Sequence, residues 1–171
     1  MLKEAFLEAR QAAVAPRDYF ALPPLEESWS GPAARLAFWS LAAGAAEVAL
    51  SIASGHRVPG DILVDILTLL VFPALGLLAG FCAALALHGL WRTLGGKGTL
   101  KASWWAAAGV AFTMPLDILM RPLGILALAP ALWRYALLAH AGQGVHGLTK
   151  RRAYGLSSAL AALHLLALAL T

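Results

Sequence analysis

Three ionisable side chains lie where water should not reach. Glu47, Arg134 and His164 each fall near the middle of a long apolar run. If those runs are helices rising 1.5 Å per residue, all three sit within roughly 5 Å of a bilayer midplane. A charge there costs about 2.5 kcal/mol or more on insertion scales, so such groups face protein and find partners. Two chemistries fit. One is a helix-locking pair of Glu47 with Arg134, with His164 close enough to join. The other is a proton or ion path through the same intramembrane polar cluster. Asp117 and Arg121 are four residues apart and are expected to form an ordinary helical ion pair.

The remaining candidates carry less. Gly95-Gly96-Lys97-Gly98-Thr99 superficially resembles a phosphate loop, but a P-loop needs Gly-Lys-Ser/Thr after a strand. Here glycine follows the lysine and no strand precedes it, so a flexible basic turn is expected. No serine occupies a nucleophile elbow, and no zinc-binding spacing occurs. Of the five histidines, His56, His88, His140, His146 and His164, the pair at 140 and 146 is six apart around glycines, which is not ligand spacing on one helix. No catalytic, cofactor-binding or metal-binding residue is therefore assigned, and no cofactor is expected. Cys82 reads as a small buried hydrophobe. Gly76 and Gly80 form a GxxxG step suited to close helix packing inside the protein.

The elements that must position these residues follow from composition. Hydrophobic residues make up 60% of the chain and charged residues 13%, against about one half and one quarter in soluble domains. Such a chain cannot hide its apolar surface in one water-facing globule, so its solvent is lipid. The fold class expected is all-α: a polytopic integral membrane protein with five transmembrane helices in a bundle. The spans run about Ala33–Ser54, Leu67–Trp91 (starting as early as Ile62), Leu100–Met120, Leu123–Ala141 and Ala153–Thr171. Each is near the roughly 20 residues a crossing helix needs. Short connectors rich in glycine and proline make successive helices antiparallel neighbours. Residues 1–32 form a cytoplasmic N-terminal segment: an amphipathic helix with Leu2, Phe6, Ala9 and Ala13 on one face, ended by Pro16, then an irregular connector through Pro23 and Pro24. Residues 33–171 form the transmembrane domain. The first ten residues lack a signal-peptide pattern, so the first span is expected to direct insertion.

Orientation comes from the cations. Ten of the 13 Lys and Arg residues fall on one side: Lys3, Arg10, Arg17, Arg35, Arg92, Lys97, Lys101, Lys150, Arg151 and Arg152. Only Arg57 and Arg121 fall on the other. The positive-inside rule then puts the N-terminus in the cytoplasm and the C-terminus outside. Trp29, Trp91, Trp104 and Trp105 fall at the same interface, where indole rings gather. The basic loops (Arg92, Lys97, Lys101, Lys150, Arg151, Arg152) suit anionic headgroups of membrane lipids at the cytoplasmic face. No soluble basic face exists for nucleic acid.

Four stretches carry a family resemblance: Leu87-His88-Gly89-Leu90-Trp91-Arg92-Thr93-Leu94-Gly95-Gly96-Lys97-Gly98-Thr99-Leu100-Lys101-Ala102, Val110-Ala111-Phe112-Thr113-Met114-Pro115-Leu116, Gly144-Val145-His146-Gly147-Leu148-Thr149-Lys150-Arg151-Arg152-Ala153, and Ala15-Pro16-Arg17-Asp18-Tyr19-Phe20. In that content the chain resembles the Yip family of Ypt/Rab-interacting membrane proteins, which has many bacterial relatives. The resemblance implies five helices, a cytosolic N-terminal region and no enzymatic activity. Eukaryotic members bind Rab GTPases, but their Asp-Leu-Tyr-Gly-Pro segment is absent here. The Ala/Leu/Arg-rich, Lys-poor composition points to a bacterial member in the cytoplasmic membrane. The resulting expectation is a non-enzymatic membrane scaffold or adaptor with protein partners yet to be found. The alternative is a small transporter or channel component using Glu47, Arg134 and His164.

Overall fold

The computed structural model describes residues 2–21, 28–55 and 61–170; Pro23, Pro24, His56, Arg57 and Thr171 lie outside them. Every described regular element is helical: α1 Leu2–Val14, α2 Pro16–Ala21, α3 Ser30–Ala53, α4 Ile62–Thr93, α5 Leu100–Gly109, α6 Met114–Leu119, α7 Leu128–His146 and α8 Lys150–Ala169. Short 3-10 stretches, Ala111–Thr113 and Arg121–Ala127, join α5 to α6 and lead into α7. Lipid has no partner for free backbone groups, so helices that satisfy their own hydrogen bonds are the form such runs take.

Four segments are long and apolar enough to cross a membrane: Ser30–Ala53, Ile62–Thr93, Arg121–His146 and Lys150–Ala169. The third expected span, Leu100–Met120, is not one continuous helix. Pro115 has no N–H to give the Ala111 carbonyl and its ring crowds that group, and the chain breaks into a 3-10 turn there. This broken run lies inside the other helices, and every residue from Ser103 to Thr113 is buried. It returns the chain from the end of the bundle holding Thr93, Leu100, His146 and Lys150, here the basic end, to the opposite end.

α4 contrasts with that core. Its 32 residues make a helix of about 48 Å, longer than the roughly 30 Å hydrocarbon core. Only Gly76, Ala84, Leu87 and Trp91 are buried along it, and leucines around the rest of its surface are exposed. A helix apolar on all sides yet uncovered by protein is one that lipid surrounds. α3 and α4 meet through small residues. A Cβ at Gly76 would lie 1.8 Å from Ser40 Oγ, one at Gly80 2.8 Å from the Leu36 side chain, and one at Gly44 3.0 Å from Phe72. The GxxxG step therefore serves an internal contact, where close backbone approach replaces the missing hydrophobic drive between helices in lipid.

Two observations add to the sequence reading. Part of the N-terminal segment joins the helical core. Ala12, Tyr19 and Phe20 are buried in the main core, Tyr19 stacks on Trp105 with ring centroids 4.9 Å apart, and Gly144 admits the Phe20 backbone, which would lie 2.2 Å from any Cβ there. α2 is thus seated in a notch between α5 and α7, and the expected boundary at residue 32 falls within the first turn of α3. The second concerns the tryptophans. Trp91, Trp104 and Trp105 are buried within the protein, the last two because α5 runs through the interior. The Trp104 indole N–H is satisfied there by the Trp29 carbonyl at 3.1 Å.

Candidate functional site at the basic end

Two glycine-ended helices finish side by side at this end. Gly95 (φ +88°) closes α4 and Gly147 (φ +66°) closes α7, both in the left-handed region that favours glycine. The Gly147 and Leu148 N–H groups take up the Gln143 and Gly142 carbonyls. The next helices start on threonine caps. Thr99 Oγ1 accepts from the Ala102 N–H at 3.1 Å, and Thr149 Oγ1 from the Arg152 N–H at 3.5 Å. One backbone bond, Lys97 N–H to the His146 carbonyl at 3.0 Å, ties the two turns together.

Beneath them lies a buried polar network that sequence reasoning missed. His146 is 1% exposed and Ser103 fully buried. Ser103 Oγ is 2.7 Å from His146 Nε2, 3.1 Å from His88 Nδ1 and 3.2 Å from the Thr99 carbonyl. A hydroxyl has one proton. Since the carbonyl can only accept, Ser103 donates to it, and the two histidines donate to Ser103. In that assignment the donors to Ser103 Oγ are His146 Nε2 and His88 Nδ1. His146 Nδ1 is left without a partner. The glycines of the turn exist to admit this ring: a Cβ at Gly98 would lie 2.6 Å from the Val145 carbonyl and 2.9 Å from the imidazole, and one at Gly96 3.1 Å from it. The Trp91 ring packs on the other side, centroids 4.7 Å apart. A serine 2.7 Å from a histidine invites a nucleophile–base reading. Here the hydroxyl is sealed from solvent and committed to a carbonyl, so the network acts as a peg beneath the turn.

The peg fixes what stands above it. Arg92 Nη1 donates to the Gly96 carbonyl at 3.4 Å, and Arg152 Nη1 to the Leu94 carbonyl at 2.9 Å. Two guanidinium groups from different helices are thus held on one three-residue turn. Lys97, Lys101, Lys150 and Arg151 lie on the same turns and helix starts. Lys150 Nζ sits 6.0 Å over the Tyr154 ring, whose hydroxyl is 3.0 Å from His140 Nε2. Among the described residues, none of these six cations has a carboxylate partner. The sequence itself has no Asp or Glu between Asp65 and Asp117, and none after Asp117.

The intramembrane polar residues are arranged otherwise than expected. Glu47 pairs with Arg121 (Oε2 to Nη1 3.1 Å), not with Arg134. Arg134 pairs through Nη2 with Asp117 and through Nε with Thr113 Oγ1 at 2.7 Å, while Thr113 donates to the Val110 carbonyl. His164 packs edge-on against Tyr135, centroids 5.9 Å apart, and joins neither pair. The reason is the break in the third span. An i,i+4 pair needs one continuous helix, but α6 ends at Leu119, so Arg121 leaves the helix and turns to Glu47 while Asp117 turns to α7. Glu47 is about 8 Å beyond the centre of α3 as built, from 1.5 Å per residue, toward the opposite end. It lines a cavity of about 500 Å³ with Leu50, Ser51, Ser54, Arg121 and Pro122. Arg134 borders a different, mostly apolar groove with Leu36, Gly80 and Leu138. Among the described residues no three metal-capable side chains come together. Cys82 is exposed on α4 rather than buried.

Set beside known proteins, residues 11–171 match the model of the Yip1 domain. No curated protein and no solved structure matches the chain.

Proposed function

Since the chain belongs to the Yip1 domain family, which is not known as a family of enzymes, we propose that it is a non-enzymatic scaffold of a bacterial cytoplasmic membrane. The match spans nearly the whole chain, and the apolar helices mark a membrane protein. In this reading the broken third run counts as a fifth crossing inside the other four, the N-terminus is cytoplasmic and the C-terminus lies outside. The basic end then faces the cytoplasm. It meets anionic headgroups there and holds protein partners against α2 and the two basic turns.

The observation that carries the reading is the unopposed charge of the basic end. Six cations without carboxylates, each worth about 1 kcal/mol at an anionic surface, supply several kcal/mol toward the cytoplasmic leaflet. A transport reading asks instead for a polar path between the two ends. Glu47 lines a cavity at the opposite end and is already paired with Arg121, and Arg134 borders a separate apolar groove. These features fit two structural ion pairs better than a conduction path. The test is a pair of reporter fusions, one after Thr171 and one replacing the segment before Ala5. A reporter active only in the cytoplasm should work at the N-terminus and fail after Thr171. Activity after Thr171 would overturn the five-crossing orientation. Purification from native membrane, with identification of what travels along, tests the scaffold role.

A further inference from the structure

We propose that the Leu94–Gly96 turn, gripped by Arg92 and Arg152, is a binding site for one phosphate group, supplied by an anionic lipid headgroup or a free phosphate. The proposal rests on the reading that this end meets the headgroup layer, and it goes further. A general basic face attracts anions diffusely, whereas this turn is a built site with a stoichiometry.

Three observations carry it. Arg92, from the end of α4, and Arg152, from the start of α8, each spend one Nη1 on a carbonyl of the same turn, at Gly96 and Leu94. Like charges repel, so two guanidiniums drawn onto three residues need an anion nearby to be comfortable. Among the described residues no carboxylate forms an ion pair with either. Next, the carbonyl bonds, 2.9 Å for Arg152 and a longer 3.4 Å for Arg92, spend one donor of each fork and leave the others unspent. A guanidinium so oriented offers paired N–H groups that match phosphate oxygens better than an ammonium does. Last, the turn is rigid. It stands on the His146–Ser103–His88 network, has no room for a side chain at Gly96 or Gly98, and is bonded to α7 through Lys97 N–H. A preorganised site does not lose affinity to ordering of its own loop. Gly95 belongs to the same design: a Cβ there would lie 3.1 Å from Arg152 Nη1 and its φ is +88°, so the residue between the two arginines stays bare.

The experiment uses the full chain purified in a neutral detergent, with retained lipid counted by native mass spectrometry. The probes are phosphatidic acid, phosphatidylglycerol, phosphatidylcholine and inorganic phosphate. One anionic lipid should be retained at least tenfold more tightly than phosphatidylcholine, and Arg92→Gln with Arg152→Gln should remove that preference. Lys150→Gln with Arg151→Gln, which leaves the turn intact, should keep most of it. Displacement of the lipid by millimolar inorganic phosphate would support the site with a soluble source, and resistance to displacement would support a lipid source. Equal retention of anionic lipid by the Arg92/Arg152 variant and the native protein would overturn the proposal, as would equal retention of phosphatidylcholine. Orientation is read separately, from labelling of Lys97→Cys in a Cys82→Ala background by an impermeant reagent on intact cells. Labelling from outside would defeat the cytoplasmic reading while leaving the binding result to stand or fall alone.

Discussion

The two ends of the bundle handle charge in opposite ways. Toward one end Arg121 meets Glu47, and deeper in the bundle Arg134 meets Asp117, so each of these guanidiniums has its own carboxylate within the chain. At the other, Arg92 and Arg152 share a turn with only backbone carbonyls for company, and four more cations stand around them. The polar groups of these two pairs read as structure, although Glu47 Oε2 and Asp117 Oδ1 accept no hydrogen bond among the described residues. At the basic end Arg35 still meets Glu8 at 3.0 Å, but the two turns held through the His146 peg carry six cations with no carboxylate partner among the described residues.

The comparison can be broken most severely through its foundation. Gly98→Val should drive a side chain into the Val145 carbonyl and the His146 ring. Overpacking of that kind costs roughly 1–3 kcal/mol or more, and the expected outcome is a large loss of thermal stability in detergent together with loss of the lipid preference. A valine variant of native stability would show that the turn does not rest on His146.

Next in size is Asp117→Ala. It strands Arg134, whose pair is roughly a third exposed on each side. The expected loss is on the order of 2 kcal/mol, below the 3–5 typical of fully buried pairs. Asp117→Ala combined with Arg134→Met should recover much of it. Equal loss in the single and double variants would mean that the pair is not what Arg134 needs.

Glu47→Gln and Arg121→Gln should do less, about 1 kcal/mol or under, because the Arg121 side chain is 59% exposed. Their double-mutant cycle should show a small positive coupling. A cycle between Glu47 and Arg134 should show none. The smallest effect belongs to Arg92→Gln with Arg152→Gln. Stability without lipid should move by no more than about 0.5 kcal/mol, since both arginines are exposed and each loses one carbonyl hydrogen bond but no ion pair.

Much of this architecture was legible from residue type alone. Continuous apolar runs in α3, α4, α7 and α8 announce lipid-surrounded helices, and glycine-rich connectors announce their ends. Pro115 was visible too, but a proline at the end of a span and one that splits it look alike in sequence. The consequence, a buried α5 with Trp104 and Trp105 inside it, depends on which helix the others enclose. Pairing was the least legible part. Glu47 and Arg134 have the right depths for each other, yet the break after α6 hands each a nearer partner. The six basic residues of the two turns were found from charge patterning. Their buried support was not, because His88, Ser103 and His146 are far apart in sequence and show no ligand spacing. The one available signal was that Gly96, Gly98 and His146 all fall at the same end of the bundle, where a run of small residues leaves room for a ring.

The most direct test of the two-ended account is the thermal unfolding midpoint in neutral detergent, measured with and without added phosphatidylglycerol. The account predicts that the lipid raises the midpoint of the native protein and of Glu47→Gln/Arg121→Gln, but not that of Arg92→Gln/Arg152→Gln. An equal rise in all three proteins would contradict it.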